Sequence, residues 1–460
     1  MNLPPNARLK SAVETSGLTY EALASAVRAI AAESGETLRT NKSTVQHWIN
    51  GTRPAGRTSW YLTQAMSSHL GRVLTEADLG LPASTRDDGE GIDPLFGLSL
   101  DSDPIRTLLP MWRADLDRRS FLTASAYSAA ATMLPLTHVE EIAGRATYAQ
   151  TGKAVGVADV AAARDMVTVF TTMDERHGGQ HGRSALIAYL RDDLAPLCRG
   201  AFSSAETKGE MLMVASRAVH LAGFKAYDAG QHGLAQRYYL QAFSLAAESH
   251  VNGVDGLIMR TMALQGLKRN KPEECVALAE TALSRLRGKA DPFTEATFRT
   301  ALAHTYAASS RRHDAVAQVD RSLDLMAVPH PPEEIPFWVL AWGPPQGTVY
   351  ARVGDVFNTL GDPGNAAGPY TRAAASRPDE TYARVNALNL ADGARMRLKQ
   401  GHIEGACREW GRSLDLMAGV HSTRTRKAVT EMRQELAAFR DRGVKAAADL
   451  DGRAAAMLAS

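Results

Sequence analysis

Apolar residues recur at helical spacing from Leu9, Ala12 and Val13, break at Gly17, and resume behind Thr19, an N-cap residue with Glu21 close by. Two helices are expected, the second carrying Leu23, Ala26, Val27 and Ile30 and stopping by Ser34 and Gly35. Val45, Trp48 and Ile49 fall at i, i+3 and i+4. That spacing turns one face of a short third helix inward and leaves Lys42, Ser43, Gln46 and Asn50 on the polar face. Gly51 ends it, and Trp60 to Leu70 predicts a fourth helix whose Trp60, Leu62, Ala65, Met66 and Leu70 close a small core. The second and third patterns are far apart, so either the second helix is extended or a loop is inserted before the third. From Pro82 to Pro104 no period is sustained and Gly, Pro, Ser and Asp accumulate, the composition of a tether. Helical patterning returns over 105–150, 157–176 and 184–201.

From about Glu206 the pattern repeats. Ala235, Cys275, Ala315, Ala366 and Ala406 serve as anchors; twelve residues before them stand Gly223, Ala263, Ala303, Gly354 and Ala394, all small. Five residues before them are the turn-formers Gly230, Asn270, Ser310, Gly361 and Gly401, and seven after come Ala242, Ala282, Ser322, Ala373 and Ser413, again small. Tyr239, Tyr370 and Trp410 follow three anchors by four residues. Small residues let two helices approach, a turn-former joins them, and large residues fill the groove toward the next pair, so each unit is a helical hairpin that buries its neighbour. The wider gap between Ala315 and Ala366 marks an insertion, Pro329 to Pro345, holding Phe337, Trp338 and Trp342. These aromatics either pack as a bridge between hairpins or line a ligand or peptide groove. A final helix, Thr423 to Leu458, is expected to cap the last groove.

The whole predicts an all-α protein: an N-terminal helix-turn-helix domain at 1–81, an acidic flexible linker at 82–104, a helical connector at 105–155, and a right-handed helical solenoid with a C-terminal capping helix at 156–460. A length of 460 residues exceeds what one hydrophobic core supports, which agrees with that division.

Charge sharpens the picture through its distribution, since the formal net charge is only +2. Between Thr37 and Thr75 stand Arg39, Lys42, Arg53, Arg57 and Arg72 with His47 and His69, and no Asp or Glu. The next stretch reverses sign, with Asp87, Asp88, Glu90, Asp93, Asp101 and Asp103 against Arg86. A basic unit followed by an acidic tether suits phosphate binding. Gln and Asn pair bidentately with adenine, Lys reaches guanine, and free amides at a helix start favour phosphate, so the polar face around Gln46 suits the major groove. The competing reading is a solvated face on a small helical bundle.

Other chemistry finds little support. Three separated cysteines, Cys198, Cys275 and Cys407, fit a reducing compartment and form no thiolate zinc site. Arg118-Arg119 before an Ala-rich run imitates an export signal but lies too far along the chain, and no membrane-length apolar run occurs, so a cytoplasmic location is expected. His177 and His181 across Gly-Gly lack a third ligand nearby. No phosphate-binding loop, dinucleotide fingerprint or catalytic motif is found, so neither an enzyme nor a cofactor is expected.

Two resemblances extend these readings. Leu18-Thr19-Tyr20-Glu21-Ala22-Leu23-Ala24 with Ser43-Thr44-Val45-Gln46-His47-Trp48-Ile49-Asn50-Gly51-Thr52-Arg53-Pro54 resembles the Cro/C1-type, or XRE, helix-turn-helix family over about the first 81 residues. It implies recognition-helix positions at Lys42, Ser43, Thr44, Gln46 and His47 and backbone contacts at Thr52, Arg53 and Arg57. The repeats resemble the tetratricopeptide family over roughly 206–418, most closely at 349–378, with a period of 40 that is longer than that family's usual spacing. Their order resembles bacterial, actinobacterial-type regulators that join the two modules, including peptide-sensing ones, which implies control of differentiation or secondary metabolism. Double-stranded DNA is the expected partner, with a peptide or small-molecule effector on the repeats, and a homodimer is expected because one short recognition helix reads too few base pairs to find a site in a genome. The alternative is a repeat scaffold acting through protein partners.

Overall fold

The computed structural model describes residues 4–33, 37–55, 57–70, 74–82, 97–98, 100, 103–117, 154–268, 272–286, 288–340 and 343–459. Most of the expected tether, the connector from 118 to 153, the Ser34-Gly35 stop, Asn270 and Trp342 lie outside them. The described chain is helical almost throughout, an N-terminal group of helices followed by helical hairpins.

The first group is α1 (Ala7–Ser16), α2 (Tyr20–Glu33), α3 (Lys42–Ile49) and α4 (Thr58–Leu70). Its core joins Leu9 and Val13 to Leu23, Ala24 and Val27, to Val45, Trp48 and Ile49, and to Trp60, Leu62, Ala65 and Met66. α4 is buried more completely than its apolar spacing suggests. Tyr61, Thr63, Gln64 and Ser67 are buried too, and the two hydroxyls return to helix carbonyls, Thr63 to Ser59 at 2.9 Å and Ser67 to Thr63 at 2.8 Å. Leu74, Leu79 and Leu81 complete the core from the segment after α4.

α5 (Pro104–Asp117) is the helix described in the expected connector. It belongs to the body of the repeats. Its Ile105, Leu108, Met111 and Trp112 share one core with Tyr238 and Phe243. Asp115 accepts from the Tyr238 hydroxyl at 2.7 Å and pairs with Arg183 at 2.7 Å. The following elements are β1 (Ala154–Val155), α6 (Val157–His177), α7 (Arg183–Tyr189), a π-helical turn (Leu190–Leu194), α8 (Ala195–Cys198) and β2 (Ala201–Phe202), with β1 and β2 paired in parallel.

The hairpins are α9 (Ala205–Asp228) with α10 (His232–Ser249), α11 (Val254–Leu267) with α12 (Pro272–Ser284), α13 (Pro292–Ala308) with α14 (Arg312–Met326), α15 (Pro345–Thr359) with α16 (Pro363–Ala375), and α17 (Asp379–Lys399) with α18 (Ile403–Met417). All five anchors are fully buried in the second helix of their pair. Gly223 and Gly354 lie against aromatic rings four residues past the anchors. A Cβ at Gly223 would sit 2.6 Å from the ring of Tyr239, and one at Gly354 would sit 2.8 Å from that of Tyr370. Gly230, Ser310, Gly361 and Gly401 all take positive φ in the turns, where glycine costs least and Ser310 is held at 60°.

The expected capping helix is two helices, α19 (Thr423–Arg440) and α20 (Lys445–Ala459). Gly443 breaks the run with φ 82°, and Val444 N closes the turn on Phe439 O at 3.1 Å. The cap is therefore a sixth hairpin.

The array also closes on itself. α6 packs against both α9 of the first hairpin and α17 of the fifth. At that junction Asp174 accepts from Lys225 Nζ at 3.0 Å and from Arg384 Nη2 at 2.7 Å, and Glu175 lies 2.9 Å from Arg384, with all four side chains buried. Asp228 accepts from Gly179 N at 3.0 Å and Ser422 Oγ at 2.9 Å, while His421 N donates to His177 O at 2.8 Å. The first and sixth hairpins thus meet.

Candidate nucleic-acid interface

A reciprocal cap starts α3 and orients its exposed face. Asn41 Oδ1 accepts from Thr44 N at 3.0 Å, and Thr44 Oγ1 accepts from Asn41 N at 3.3 Å. Val45, Trp48 and Ile49 then face the core, and the opposite side is left to Lys42, Ser43, Gln46, His47 and Asn50, all exposed. Lys42, Gln46 and Asn50 form one row at i, i+4 spacing, with Ser43 and His47 as the next. The helix ends at Gly51, whose φ of 105° bends the chain so that Thr52 N reaches His47 O at 2.9 Å. Thr52 and Arg53 follow on the surface.

Two of the eight candidate contacts have structural duties. The Thr44 hydroxyl is engaged in the cap. Arg57 is half-buried, with its guanidinium 5.8 Å from the Trp60 ring centroid and 5.5 Å from that of Tyr61, so cation–π contact holds it on the core. Lys42, Ser43, Gln46, His47, Thr52 and Arg53 remain together on one exposed stretch.

The long interval before α3 is met by both expected means. α2 continues to Glu33, and an extended lead-in reaches Asn41. Arg28 Nη1 donates to the Thr40 carbonyl and its Nη2 lies 3.6 Å from Glu21, which ties that lead-in to α2. Asn6 fixes the other end of α3. It caps α1 by accepting from Leu9 N at 3.0 Å, donates its own N–H to Ile49 O at 2.8 Å, and sends Nδ2 to Leu79 O at 2.9 Å. An Asn ahead of a helical pattern is a legible cap signal. Nothing in the local sequence marks Arg28.

The other candidates are placed elsewhere. Trp338 is buried, edge-on to Phe298 at 6.4 Å and close over Gly253; Phe337 lies under the Arg164 guanidinium at 5.3 Å. The inserted segment therefore bridges α6, α11 and α13, and neither aromatic lines the cavity formed by Phe224, Tyr227, Arg260 and Arg352. His177 and His181 lie with ring centroids 4.8 Å apart and planes tilted by 44°, and among the described residues no group of three His, Cys, Asp or Glu is arranged to hold a metal.

These elements define an all-α chain in which a four-helix N-terminal unit precedes helical-hairpin repeats. The SP15 N-terminal domain family matches residues 9–82, which spans that first unit to its end. No curated protein matches the chain. Among the described residues no helix is long and apolar enough to cross a membrane.

Proposed function

We propose that the chain is a cytoplasmic DNA-binding transcriptional regulator of the XRE helix-turn-helix type, with tetratricopeptide-like repeats that dimerise it and sense an effector. The observation that carries this reading is the exposed face of α3. Lys42, Ser43, Gln46 and His47 stand on a capped helix whose other side is buried, within a stretch from 37 to 75 that holds no carboxylate. Such a face offers amide and cationic groups to base edges, and Arg53 lies beside it for phosphate.

Selection of bound duplexes from random sequence should recover a two-fold motif. On that motif Gln46→Ala should cost about 1–3 kcal/mol and little on random DNA. Lys42→Ala and Arg53→Ala together should weaken binding to all sequences and flatten its salt dependence by about one counterion per contact. Failure to enrich any motif, with a salt slope unchanged in the double variant, would remove α3 from this role.

One short helix reads too few base pairs to find a site in a genome, so the working unit should be a dimer, seen by light scattering free and on DNA. A monomer in both states would reject that part. The exposed Met166 and Val169, neighbours on one side of α6 at 38% and 54%, favour a second reading, a scaffold that acts through a protein partner.

A further inference from the structure

Closure of the hairpins leaves a half-open cavity of about 150 Å³ between the first, second, fourth, fifth and sixth of them. Phe224, Tyr227, Tyr239 and Leu264 supply an apolar wall. Five of its fourteen lining residues are cationic, Arg260, Lys268, Arg352, Arg377 and Arg424, and none is acidic.

The cations are held in place. Arg260 is 3% exposed and its Nε donates to Thr297 O at 3.0 Å. Burial pushes its pKa down to about 9, and the charge of Arg352 pushes the same way. Arg377 donates to Thr348 Oγ1 at 2.9 Å and crosses Gly347, where any Cβ would collide with its Nη1. Lys268 and Arg424 lie 5.4 and 5.5 Å from the Tyr227 ring centroid. Burial would raise the Tyr227 phenol, yet these two charges prevail and lower it. The nearest carboxylates offset the five cations only in part: Asp355 accepts from Tyr370 at 2.7 Å and from Arg352 at 2.6 Å, Asp228 lies 3.9 Å from Arg424 while also accepting from Gly179 and Ser422, and Asp392 pairs with Arg395.

Like charges gathered around the buried Arg260 and Arg377 repel one another, and an anion placed among them relieves that cost. Guanidinium forks match phosphate oxygens two at a time, and aromatic faces beside cations accept a flat ring. The volume holds on the order of ten water-sized probes, which suits a small molecule and excludes a folded partner. We propose that this cavity binds a small organic phosphate bearing a planar ring, the anionic group among the five cations and the ring against Phe224 and Tyr227. Its occupancy is read on the protein alone, so this test and that of DNA binding by α3 fail separately.

The test titrates the full chain calorimetrically with adenosine 5′-monophosphate, inorganic pyrophosphate and adenosine, with thermal melts in parallel. The monophosphate should bind saturably and raise the melting temperature, pyrophosphate should bind more weakly, and adenosine should not bind. Lys268 is exposed, so Lys268→Met should fold normally and lose about tenfold in affinity, the worth of one charge-assisted bond. Ala351→Trp should fill the cavity and abolish binding. No saturable binding by either phosphate probe, or binding indifferent to both substitutions, overturns the proposal; equal affinity for pyrophosphate and the monophosphate overturns its planar-ring part.

Discussion

Replacing Arg384 with Ala should destabilise the repeat body by about 3–5 kcal/mol at neutral pH, the cost of removing one partner from a buried ion cluster. Its guanidinium, 1% exposed, lies 2.7 Å from Asp174, 2.9 Å from Glu175 and 3.7 Å from Asp228, with its plane 5.0 Å from the Phe224 centroid. Without it Asp174 keeps only Lys225, and Glu175 loses its near cation. Arg384→Lys should recover part of the loss, since a point charge cannot reach three carboxylates as a fork does.

The pH dependence of this loss follows from two opposed carboxylates. Burial alone would raise Asp174, but Arg384 and Lys225 prevail and hold it below the usual range. Its contribution is present above the unfolded value near ~4 and is lost as pH falls through the lower folded value. Burial raises Glu175 against the pull of Arg384. The folded state then binds more protons, and this group costs stability as pH rises from ~4.3 through the raised folded value. Taking Arg384 away shrinks the first term and enlarges the second. Urea melts should therefore show a larger deficit at pH 7 than at pH 5. A loss under about 1 kcal/mol that is equal at both would mean that this cluster does not hold the closure.

Trp410→Ala should cost a similar ~3–5 kcal/mol, for a different reason. Trp410 is 1% exposed and lies in the core that α17 and α18 share with the sixth hairpin, alongside Ala391, Ala394, Leu436 and Leu450. That core is separate from the large one running through the first four hairpins. The cavity left in it cannot be refilled by the small alanines around it. Hydrogen exchange should show residues 403–459 losing protection first, while α9 to α14 keep theirs. Uniform loss along all the hairpins would show that the two cores unfold as one unit.

Elements made by nearest neighbours were legible in the chain. Small residues at the anchors mark close helix approach, because nothing larger fits there, and the buried Ala235, Ala315 and Ala406 confirm it locally. The exposed row on α3 was legible for the same reason, since Val45, Trp48 and Ile49 fix which side faces water. Trp338 shows the limit. An aromatic in a Pro-rich insertion suits a groove or a bridge equally well, and only its place against Phe298 and Gly253 decides.

What the sequence determined by itself is therefore periodic: helix positions, hairpin pairing, and the polar face of the third helix. The sixth hairpin needed the one backbone reversal at Gly443. Arg57 reads as a surface cation until Trp60 and Tyr61 are seen beneath it. Closure and the cationic cavity were decided by tertiary structure alone. Asp174 and Arg384 meet across 210 positions, and Arg260, Arg352 and Arg424 come from the second, fourth and sixth hairpins, with Arg377 just after the fourth. Each is a charged residue in or beside a helix, which in sequence is indistinguishable from a solvated one. Only the curvature summed over six hairpins brings these side chains together.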